Sequence, residues 1–259
     1  MRVALFITCL NDLFLPRAGI GMVKILEHLG VEVVFPEGQT CCGQAQWNSG
    51  YEPEAAALAR HFLDVFGGSI AGVGSKARHA AAPTADYIVS PAGSCTGMVR
   101  HTYPQIFRDN PARRSASLAL GERTFEFTEF LVNVLGVTDL GARFPARVAY
   151  HQSCHMSRWL GVTEPPLRLL QAVRDLELLP LTHPELCCGF GGTFAVKSPE
   201  LSVAMADDKL ADAEDTGAEI LVSADPSCLL HLAGRAQRRR LPLRTMHIAE
   251  LLAEGVGLL

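Results

Sequence analysis

The stretch Gln39-Thr40-Cys41-Cys42-Gly43-Gln44 contains a Cys-Cys-Gly motif that recurs later in the chain as Cys187-Cys188-Gly189. A lone cysteine precedes each pair by 32 or 33 residues, and another follows it by 53 or 40 residues. The two quartets account for all eight cysteines, which are Cys9, Cys41, Cys42 and Cys95, then Cys154, Cys187, Cys188 and Cys228. Two sets of four soft ligands, with no thiol left over, predict two metal or iron–sulfur sites.

The similarity between the two halves extends beyond the cysteines. Val3-Ala4-Leu5-Phe6-Ile7-Thr8-Cys9 parallels Val148-Ala149-Tyr150-His151-Gln152-Ser153-Cys154. Ala85-Asp86-Tyr87-Ile88-Val89-Ser90 likewise parallels Ala218-Glu219-Ile220-Leu221-Val222-Ser223. Motifs that recur in the same order, each at a fixed distance from a cysteine, indicate an internal duplication. We therefore predict two pseudo-symmetric, cysteine-rich lobes, residues 1–140 and 141–259.

Short β-rich runs alternate with helix-forming runs in both halves, which is typical of an α/β fold with a mostly parallel sheet flanked by helices. The predicted strands are residues 2–8, 31–35, 87–90, 147–152, 176–181 and 219–223. The predicted helices include residues 18–29, 53–66, 124–135, 166–173, 198–215 and 228–238. Each lone cysteine follows a predicted strand by at most five residues. The thiols should therefore gather at the carboxyl ends of the strands, where parallel sheets bind ligands.

The composition is that of a globular protein with a sizeable core, since 48% of the residues are hydrophobic and 19% are charged. The net charge of −4 gives no support for nucleic-acid binding. The apolar start of the chain is too short for a secretory signal and lacks a small-residue cleavage site. No stretch approaches the roughly 20 apolar residues that span a bilayer. We expect a cytoplasmic protein whose cysteines are thiols or ligands rather than disulfides.

The residues alone leave three states of the cysteines open. Four thiolates in one pocket repel one another, and a bound cation or cluster would keep them ionised. Structural zinc sites commonly use C-x2-4-C pairs, whereas the adjacent cysteines here suit a core of several irons better. We therefore favour iron–sulfur clusters, most simply [4Fe-4S], over zinc in at least one lobe and over redox-active free thiols. Gly43 and Gly189 free backbone amides that can donate to cluster sulfurs.

Three segments around the cysteines are specific enough to compare with known families. They are Leu5 to Leu10, Gln39 to Gln44 and Cys187-Cys188-Gly189-Phe190-Gly191-Gly192-Thr193-Phe194. At these residues the sequence resembles the cysteine-rich CCG-domain proteins, and among them the lactate utilization protein A family, over essentially the whole chain. The same group includes a component of heterodisulfide reductase and the iron–sulfur subunit of glycolate oxidase. The resemblance implies an iron–sulfur, electron-transfer component of an L-lactate-oxidising complex. Such a component acts with two other proteins and passes electrons toward a membrane acceptor.

The end of each motif departs from the full CCG pattern, which closes with C-x-x-C. Met98 and His231 stand three residues after Cys95 and Cys228. The five-cysteine clusters of heterodisulfide reductase are therefore not implied, and four cysteines per lobe are enough for an ordinary four-iron cluster. His231 is a candidate fifth ligand or a helix-face histidine, and Met98 is interpreted as a packing residue. An incomplete ligand set would also leave room for a thiol or hydroxy-acid substrate at the cluster.

The chain is expected to be a subunit of an oxidoreductase rather than a complete enzyme, and the sequence assigns no catalytic residue. The alternatives to lactate oxidation are an iron–sulfur subunit like that of glycolate oxidase or heterodisulfide reductase, and a zinc-stabilised scaffold for partner subunits. The basic cluster Arg235 to Arg240 is interpreted as solvated cations at a helix carboxyl end or as a docking patch. The carboxylates of Glu129 and Glu250 are interpreted as solvent-facing or capping groups.

Four further residues near the cysteines have both a functional and a structural interpretation. His151 and His155 could tune a cluster or relay a proton, or they could be polar side chains on the rim of a loop. Trp47 and Trp159 could shield a site from water, or they could simply pack. Since the sequence does not separate these alternatives, both remain open for each residue.

Overall fold

A computed structural model of the protein describes residues 1–68 and 85–259. The described residues form two lobes, each built on a four-stranded parallel sheet flanked by helices. The two sheets have the same strand order, in which the first strand of each lobe lies between the second and the third. This topology confirms the predicted α/β fold with two pseudo-symmetric lobes.

The first lobe carries its sheet in the order β2-β1-β3-β4. The strands are β1 (Arg2–Leu5), β2 (Glu32–Val34), β3 (Tyr87–Ser90) and β4 (Thr124–Glu126). The helices are α1 (Cys9–Phe14), α2 (Pro16–His28), α3 (Gln44–Asn48), α4 (Glu52–Gly67), α5 (Gly93–Gly97), α6 (Tyr103–Ile106), α7 (Pro111–Gly121) and α8 (Phe127–Glu129). π-helical turns at Met98–Thr102 and Phe130–Val134 continue α5 and α8.

The second lobe repeats the arrangement in the order β6-β5-β7-β8. The strands are β5 (Arg143–Tyr150), β6 (Arg174–Leu179), β7 (Ile220–Ser223) and β8 (Arg244–His247). The helices are α9 (Glu164–Gln171), α10 (Phe194–Lys197), α11 (Pro199–Asp215), α12 (Pro226–Arg239) and α13 (Ile248–Gly255), with a π-helical turn at His155–Leu160. None of the helices in residues 1–68 and 85–259 is long and apolar enough to cross a bilayer.

The central strands are short apolar runs because both of their faces are covered. Along β1, Val3 belongs to the core between the sheets and Ala4 to the core behind the first sheet, and both are fully buried. The alternation follows from the two-residue period of a strand. The long helices α2 and α11 begin at Pro16 and Pro199, where the missing backbone N–H costs no hydrogen bond.

The fourth strand of each sheet is missing from the sequence prediction. Residues 124–135, predicted as one helix, begin as strand β4, and no element was predicted at β8. Both strands are only three or four residues long and run directly into a helix. Their sequences, Thr-Phe-Glu and Arg-Thr-Met-His, mix polar and apolar residues and contain no apolar run that marks a buried strand. The last strand residue, Glu126 or His247, then serves as the N-cap of the helix that follows.

The largest cluster of buried apolar residues lies between the sheets and draws on both lobes. Val3 and Leu5 of β1 share it with Val148 of β5 and Leu251 of α13. The last helix of each lobe also packs against the other lobe, α13 on α2 and α8 on α9. The division at residues 1–140 and 141–259 stays a prediction, and the shared core indicates that both halves unfold together.

Glu129 is a capping group, but it is buried rather than solvent-facing. It forms a reciprocal capping box with Glu126 at the start of α8. Arg100 Nη1 donates to both of its carboxylate oxygens at 2.9 Å. Its counterpart Glu250 accepts from Arg17 of the first lobe at 2.6 Å. The two matched carboxylates therefore hold helices in place.

The basic cluster at the end of α12 is partly engaged by the neighbouring helix α11. Arg235 donates to both carboxylate oxygens of Asp207, at 2.8 and 2.6 Å. Arg239 pairs with Asp207 and with Glu214. The prediction that these two cations are solvated is therefore wrong, because both form ion pairs with α11. The predicted position at a helix end is confirmed for Arg239, which lies in the last turn of α12.

Candidate metal centre

The first quartet comes together from three segments at the carboxyl end of the first sheet. Cys9 opens α1 shortly after β1, Cys41 and Cys42 lie in the loop before α3, and Cys95 lies in α5. The Cys42 thiol donates to Cys95 Sγ at 3.3 Å. Cys41 interacts with Cys9 on one side and with Cys42 on the other. All four cysteines are free thiols, and the structure places them in one group.

The second quartet repeats this geometry at the end of the second sheet. Cys154 follows β5, Cys187 and Cys188 lie in the loop before α10, and Cys228 lies in α12. The Cys188 thiol donates to Cys228 Sγ at 3.0 Å, and Cys187 interacts with Cys154 and Cys188. The structure thus brings together the four cysteines of each quartet, as the repeated spacing in the sequence predicts.

Hydrogen bonds among the thiols make the sulfurs within a quartet electrostatically unequal. The Cys42 thiol lowers the pKa of Cys41 to about 3, and the Cys154 thiol lowers the pKa of Cys187 to about 2. Hydrogen bonds to these two thiolates raise the pKa of the buried Cys42 and Cys188 well above the ordinary value. The thiols of each quartet therefore hold their protons unequally, and a bound cation would displace those protons.

A glycine with a left-handed backbone follows each vicinal pair and turns its amide toward a sulfur. The φ angle is +85° at Gly43 and +84° at Gly189. The Gly43 amide lies 3.4 Å from Cys41 Sγ, and the Gly189 amide lies 3.4 Å from Cys187 Sγ. Glycine adopts this conformation without the steric cost of a Cβ atom. Each amide donates to the sulfur of lowest pKa in its quartet and stabilises the thiolate.

Both quartets border the contact between the lobes. Helix α5, which carries Cys95, approaches the second lobe closely, since a Cβ atom at Gly93 would lie 2.8 Å from Met156 Cβ. A cavity of about 310 Å³ at this contact is lined by Trp47, Asn48, Cys154, His155 and Trp159. The two tryptophans, one from each lobe, therefore lie beside Cys154 of the second quartet.

Buried polar contacts fix the two cysteine-bearing helices α5 and α12 relative to each other. Asp225, the N-cap of α12, accepts from the Ser94 amide of α5 at 2.8 Å. His247 Nε2 donates to the Pro91 carbonyl at 2.8 Å, and its Nδ1 accepts from the Ala249 amide. Burial lowers the pKa of His247 to about 4, so the ring is neutral with the tautomer that these bonds require.

His151 lies inside the second lobe and not on a loop rim. Its side chain is fully buried, and no oxygen or nitrogen atom accepts from or donates to its ring, so Cys228 is the group with which the imidazole interacts. One ring nitrogen and the Sγ atoms of Cys188 and Cys228 all lie within 4.8 Å of one another. An unpaired polar group in a core costs about 1–3 kcal/mol. The pKa of Cys228 is lowered to about 6, mainly by the hydrogen bond from Cys188 and to a smaller extent by the His151 imidazole.

Met98 and His231 stand where a full CCG motif has its last cysteine, and each packs among residues of its own lobe. Met98 is fully buried in the apolar core of the first lobe, as its interpretation as a packing residue requires. His231 Nε2 lies 3.1 Å from Ser202 Oγ, and its ring packs edge-on against Phe190. The role of His231 as a fifth ligand stays a prediction. His155 Nδ1 lies 3.5 Å from Cys154 Sγ, at the edge of the cavity.

A buried ion pair anchors the loop that leads to Cys187. The side chains of Lys209 and Asp212 in α11 are only 0% and 4% exposed. Lys209 Nζ donates to the His183 carbonyl at 2.7 Å and to Asp212 Oδ2 at 3.4 Å. Asp212 in turn accepts from the amides of Thr182 and His183. Although burial lowers the pKa of Lys209, the pair satisfies both charges and holds the loop.

We expect Asp212→Ala to destabilise the protein by about 3–5 kcal/mol, because it leaves a buried ammonium without its partner. The control is Glu164→Ala in α9, which removes only the exposed ion pair with Arg168, worth about 1 kcal/mol or less. Urea unfolding of the three proteins measures both changes. Equal losses in the two variants would contradict the anchoring role.

A model of the cysteine-rich domain family (CCG) matches residues 3–100 and 148–233, which include all eight cysteines. Several curated relatives are named lactate utilization protein A. One from Exiguobacterium sp. is 47% identical over 98% of both chains. One from Bacillus licheniformis is 45% identical over 97% of this chain and 99% of its own. One from Geobacillus thermodenitrificans is 46% identical over 97% of this chain and 98% of its own.

A solved structure of a hypothetical protein from Helicobacter pylori is similar in fold. It matches 99% of this chain with a TM-score of 0.63 and 10% sequence identity. This chain spans 49% of the length of that chain. At this level of identity the likeness shows a shared fold and nothing of the chemistry.

Proposed function

Because the chain belongs to the lactate utilization protein A family of cysteine-rich CCG-domain proteins, we propose that it transfers electrons through iron–sulfur clusters during oxidation of L-lactate to pyruvate. It acts as a cytoplasmic subunit of an oxidoreductase, with other iron–sulfur proteins as partners and a membrane-linked electron acceptor. The names of the relatives support the lactate part of the proposal. The observation that carries the redox part is the gathering of eight free thiols into two equivalent groups.

The donor sets fit iron–sulfur clusters. Cysteine thiolates are the usual ligands of a [4Fe-4S] cluster, and four of them complete its protein ligation. Each quartet supplies four thiols, two of them buried and two half-buried. The Gly43 and Gly189 amides donate to sulfur, and such hydrogen bonds tune the potential of a cluster. The first and the second quartet would therefore each hold one cluster.

A bound four-iron cluster supplies one-electron redox chemistry. The chain itself holds the sulfurs, donates amide hydrogen bonds to them and places both quartets beside one contact between the lobes. Trp47 and Trp159 line the cavity at that contact. Two redox sites on one rigid core would let electrons enter at one lobe and leave at the other, as a component between two partner proteins requires.

Deleting the gene from its own host should abolish growth on L-lactate as the sole carbon source, while growth on pyruvate continues. Pyruvate is the control, because it enters metabolism after the proposed step. The wild-type gene should restore growth on lactate, and a Cys42→Ser, Cys188→Ser double variant should not. A double variant that grows on lactate at the wild-type rate would refute electron transfer through the quartets. Loss of growth on glycolate instead of lactate would favour the glycolate oxidase alternative.

The compactness of the quartets favours a second candidate, a zinc-stabilised scaffold for partner subunits. Tetrahedral zinc with Zn–S bonds of about 2.3 Å places its thiolates about 3.8 Å apart. The sulfur pairs here lie 3.3 and 3.0 Å apart, and His151 adds an imidazole beside the second pair. Elemental analysis separates the two candidates, because the scaffold would contain zinc and no iron.

A further inference from the structure

The two quartets differ at one buried position close to the sulfurs. Phe6 and His151 are equivalent, since each stands three residues before the first cysteine of its quartet. Phe6 is fully buried and packs its ring against Phe62 and Phe66, with centroids 5.0 and 5.5 Å away. His151 is just as buried, but it places a polar ring where the first lobe has an apolar one.

The position of the His151 ring shows what its nitrogens can reach. Neither nitrogen has an oxygen or nitrogen hydrogen-bond partner, although buried polar atoms are almost always paired, and the ring interacts instead with the Cys228 thiol. One nitrogen lies within 4.8 Å of both Cys188 Sγ and Cys228 Sγ, and the three atoms are mutually within that distance. Imidazole nitrogen joins cysteine sulfur in many zinc sites and in some iron–sulfur clusters. The arrangement is therefore a convergent nitrogen and sulfur donor set.

We propose that His151 is a metal ligand of the second quartet, so that this site binds its metal through nitrogen and sulfur while the first site uses sulfur alone. The assignment rests on the proposed metal centre, but it holds whether the metal is iron or zinc. It places the non-cysteine donor at the end of β5 rather than at His231, which contacts Ser202. His151 is added to four thiols rather than exchanged for one of them, and because the ligands around an iron–sulfur centre set its potential, the two quartets should differ in potential.

The test uses full-length protein in which only one quartet is intact. Cys42→Ser preserves the second quartet, and Cys188→Ser preserves the first. Both are produced with ¹⁵N-labelled histidine and purified without oxygen, and their metal content is measured. If iron is present, pulsed electron paramagnetic resonance of the reduced protein detects a coordinated ¹⁵N nucleus. If zinc is present, X-ray absorption detects a nitrogen neighbour at about 2.0–2.1 Å beside sulfur at about 2.3 Å.

We expect a directly bound nitrogen in the Cys42→Ser protein and none in the Cys188→Ser protein. The signal should disappear in His151→Phe, which copies the first lobe, and in His151→Gln, which keeps a polar side chain. It should persist in His155→Gln, the control histidine next to Cys154. Both His151 variants should also lose metal to a chelator at least about 10-fold faster.

Metal ligated by sulfur alone in the second quartet, or a nitrogen signal that survives in both His151 variants, would overturn the assignment. Zinc with a bound nitrogen would support the assignment while refuting the proposed electron transfer. Iron without a bound nitrogen would refute the assignment of His151 and leave the proposed electron transfer standing. Because the Cys42→Ser measurement needs no change at His151, a folding defect of the His151 variants cannot mask the answer.

Discussion

Cys188→Ser should empty the second quartet of metal while the first quartet keeps its own. Cys188 is 3% exposed and bridges Cys187 and Cys228 within the group. Serine lacks the soft, readily ionised sulfur that iron and zinc bind in such sites. The metal content per chain should therefore fall to about half of the wild-type value, and Cys42→Ser should produce the same loss from the other quartet.

Met98→Leu is the matched control for these two variants. Met98 is a buried side chain three residues after Cys95, where a full CCG motif has its last cysteine. Exchange of Met for Leu conserves volume and normally costs less than about 1.5 kcal/mol. The metal content of this variant should stay at the wild-type value. Wild-type metal content in Cys188→Ser, or metal loss in Met98→Leu, would show that the ligands are assigned wrongly.

Gly189→Ala should destabilise the second quartet severely, whereas the equivalent Gly43→Ala should have a mild effect. Both glycines have φ near +85°, and an alanine in this region costs about 1–2 kcal/mol. At Gly189 the new Cβ would also lie 2.5 Å from the Ser202 carbonyl oxygen and 3.0 Å from Met205 Cβ. At Gly43 its nearest neighbour is Leu58, at 3.4 Å.

The clash at Gly189 involves the backbone of α11, which cannot move without disturbing the helix. We expect Gly189→Ala to cost about 3 kcal/mol or more and Gly43→Ala about 1–2 kcal/mol. Urea unfolding in oxygen-free buffer measures the difference, and metal analysis shows whether the second quartet is lost selectively. Equal destabilisation by the two substitutions would mean that the close approach to Ser202 does not contribute to the loss of unfolding free energy.

The repeat made most of the fold predictable. β1, β3, β5 and β7 contain runs of consecutive apolar residues that mark buried strands, and the duplicated flanks predict the same topology for both lobes. The short strands β4 and β8 could not be recognised, because their pairing with β3 and β7 depends on the sheet and not on their own pattern. Of the two alternatives for Glu129, capping holds and solvent exposure is wrong, because its burial depends on Arg100, 29 residues away.

The eight thiols were predictable because cysteine is rare and the spacing repeats, whereas the neighbours of each thiol depend on tertiary packing. His231 attracted attention by standing in a motif position, yet its ring contacts Ser202. For His151 the sequence offers two interpretations, a group that tunes a cluster or relays a proton and a polar residue on a loop rim, and its full burial excludes the second. The available signal was its alignment with Phe6, which indicates an inward-facing position at the end of a strand.

The central claim is that the two quartets bind iron and sulfide, and elemental analysis of the wild-type protein tests it most directly. Protein purified and reconstituted without oxygen is assayed for iron, acid-labile sulfide and zinc per chain. We predict brown protein with about four irons and four sulfides per quartet and little zinc. Colourless protein that carries two zinc ions and no iron would contradict the account.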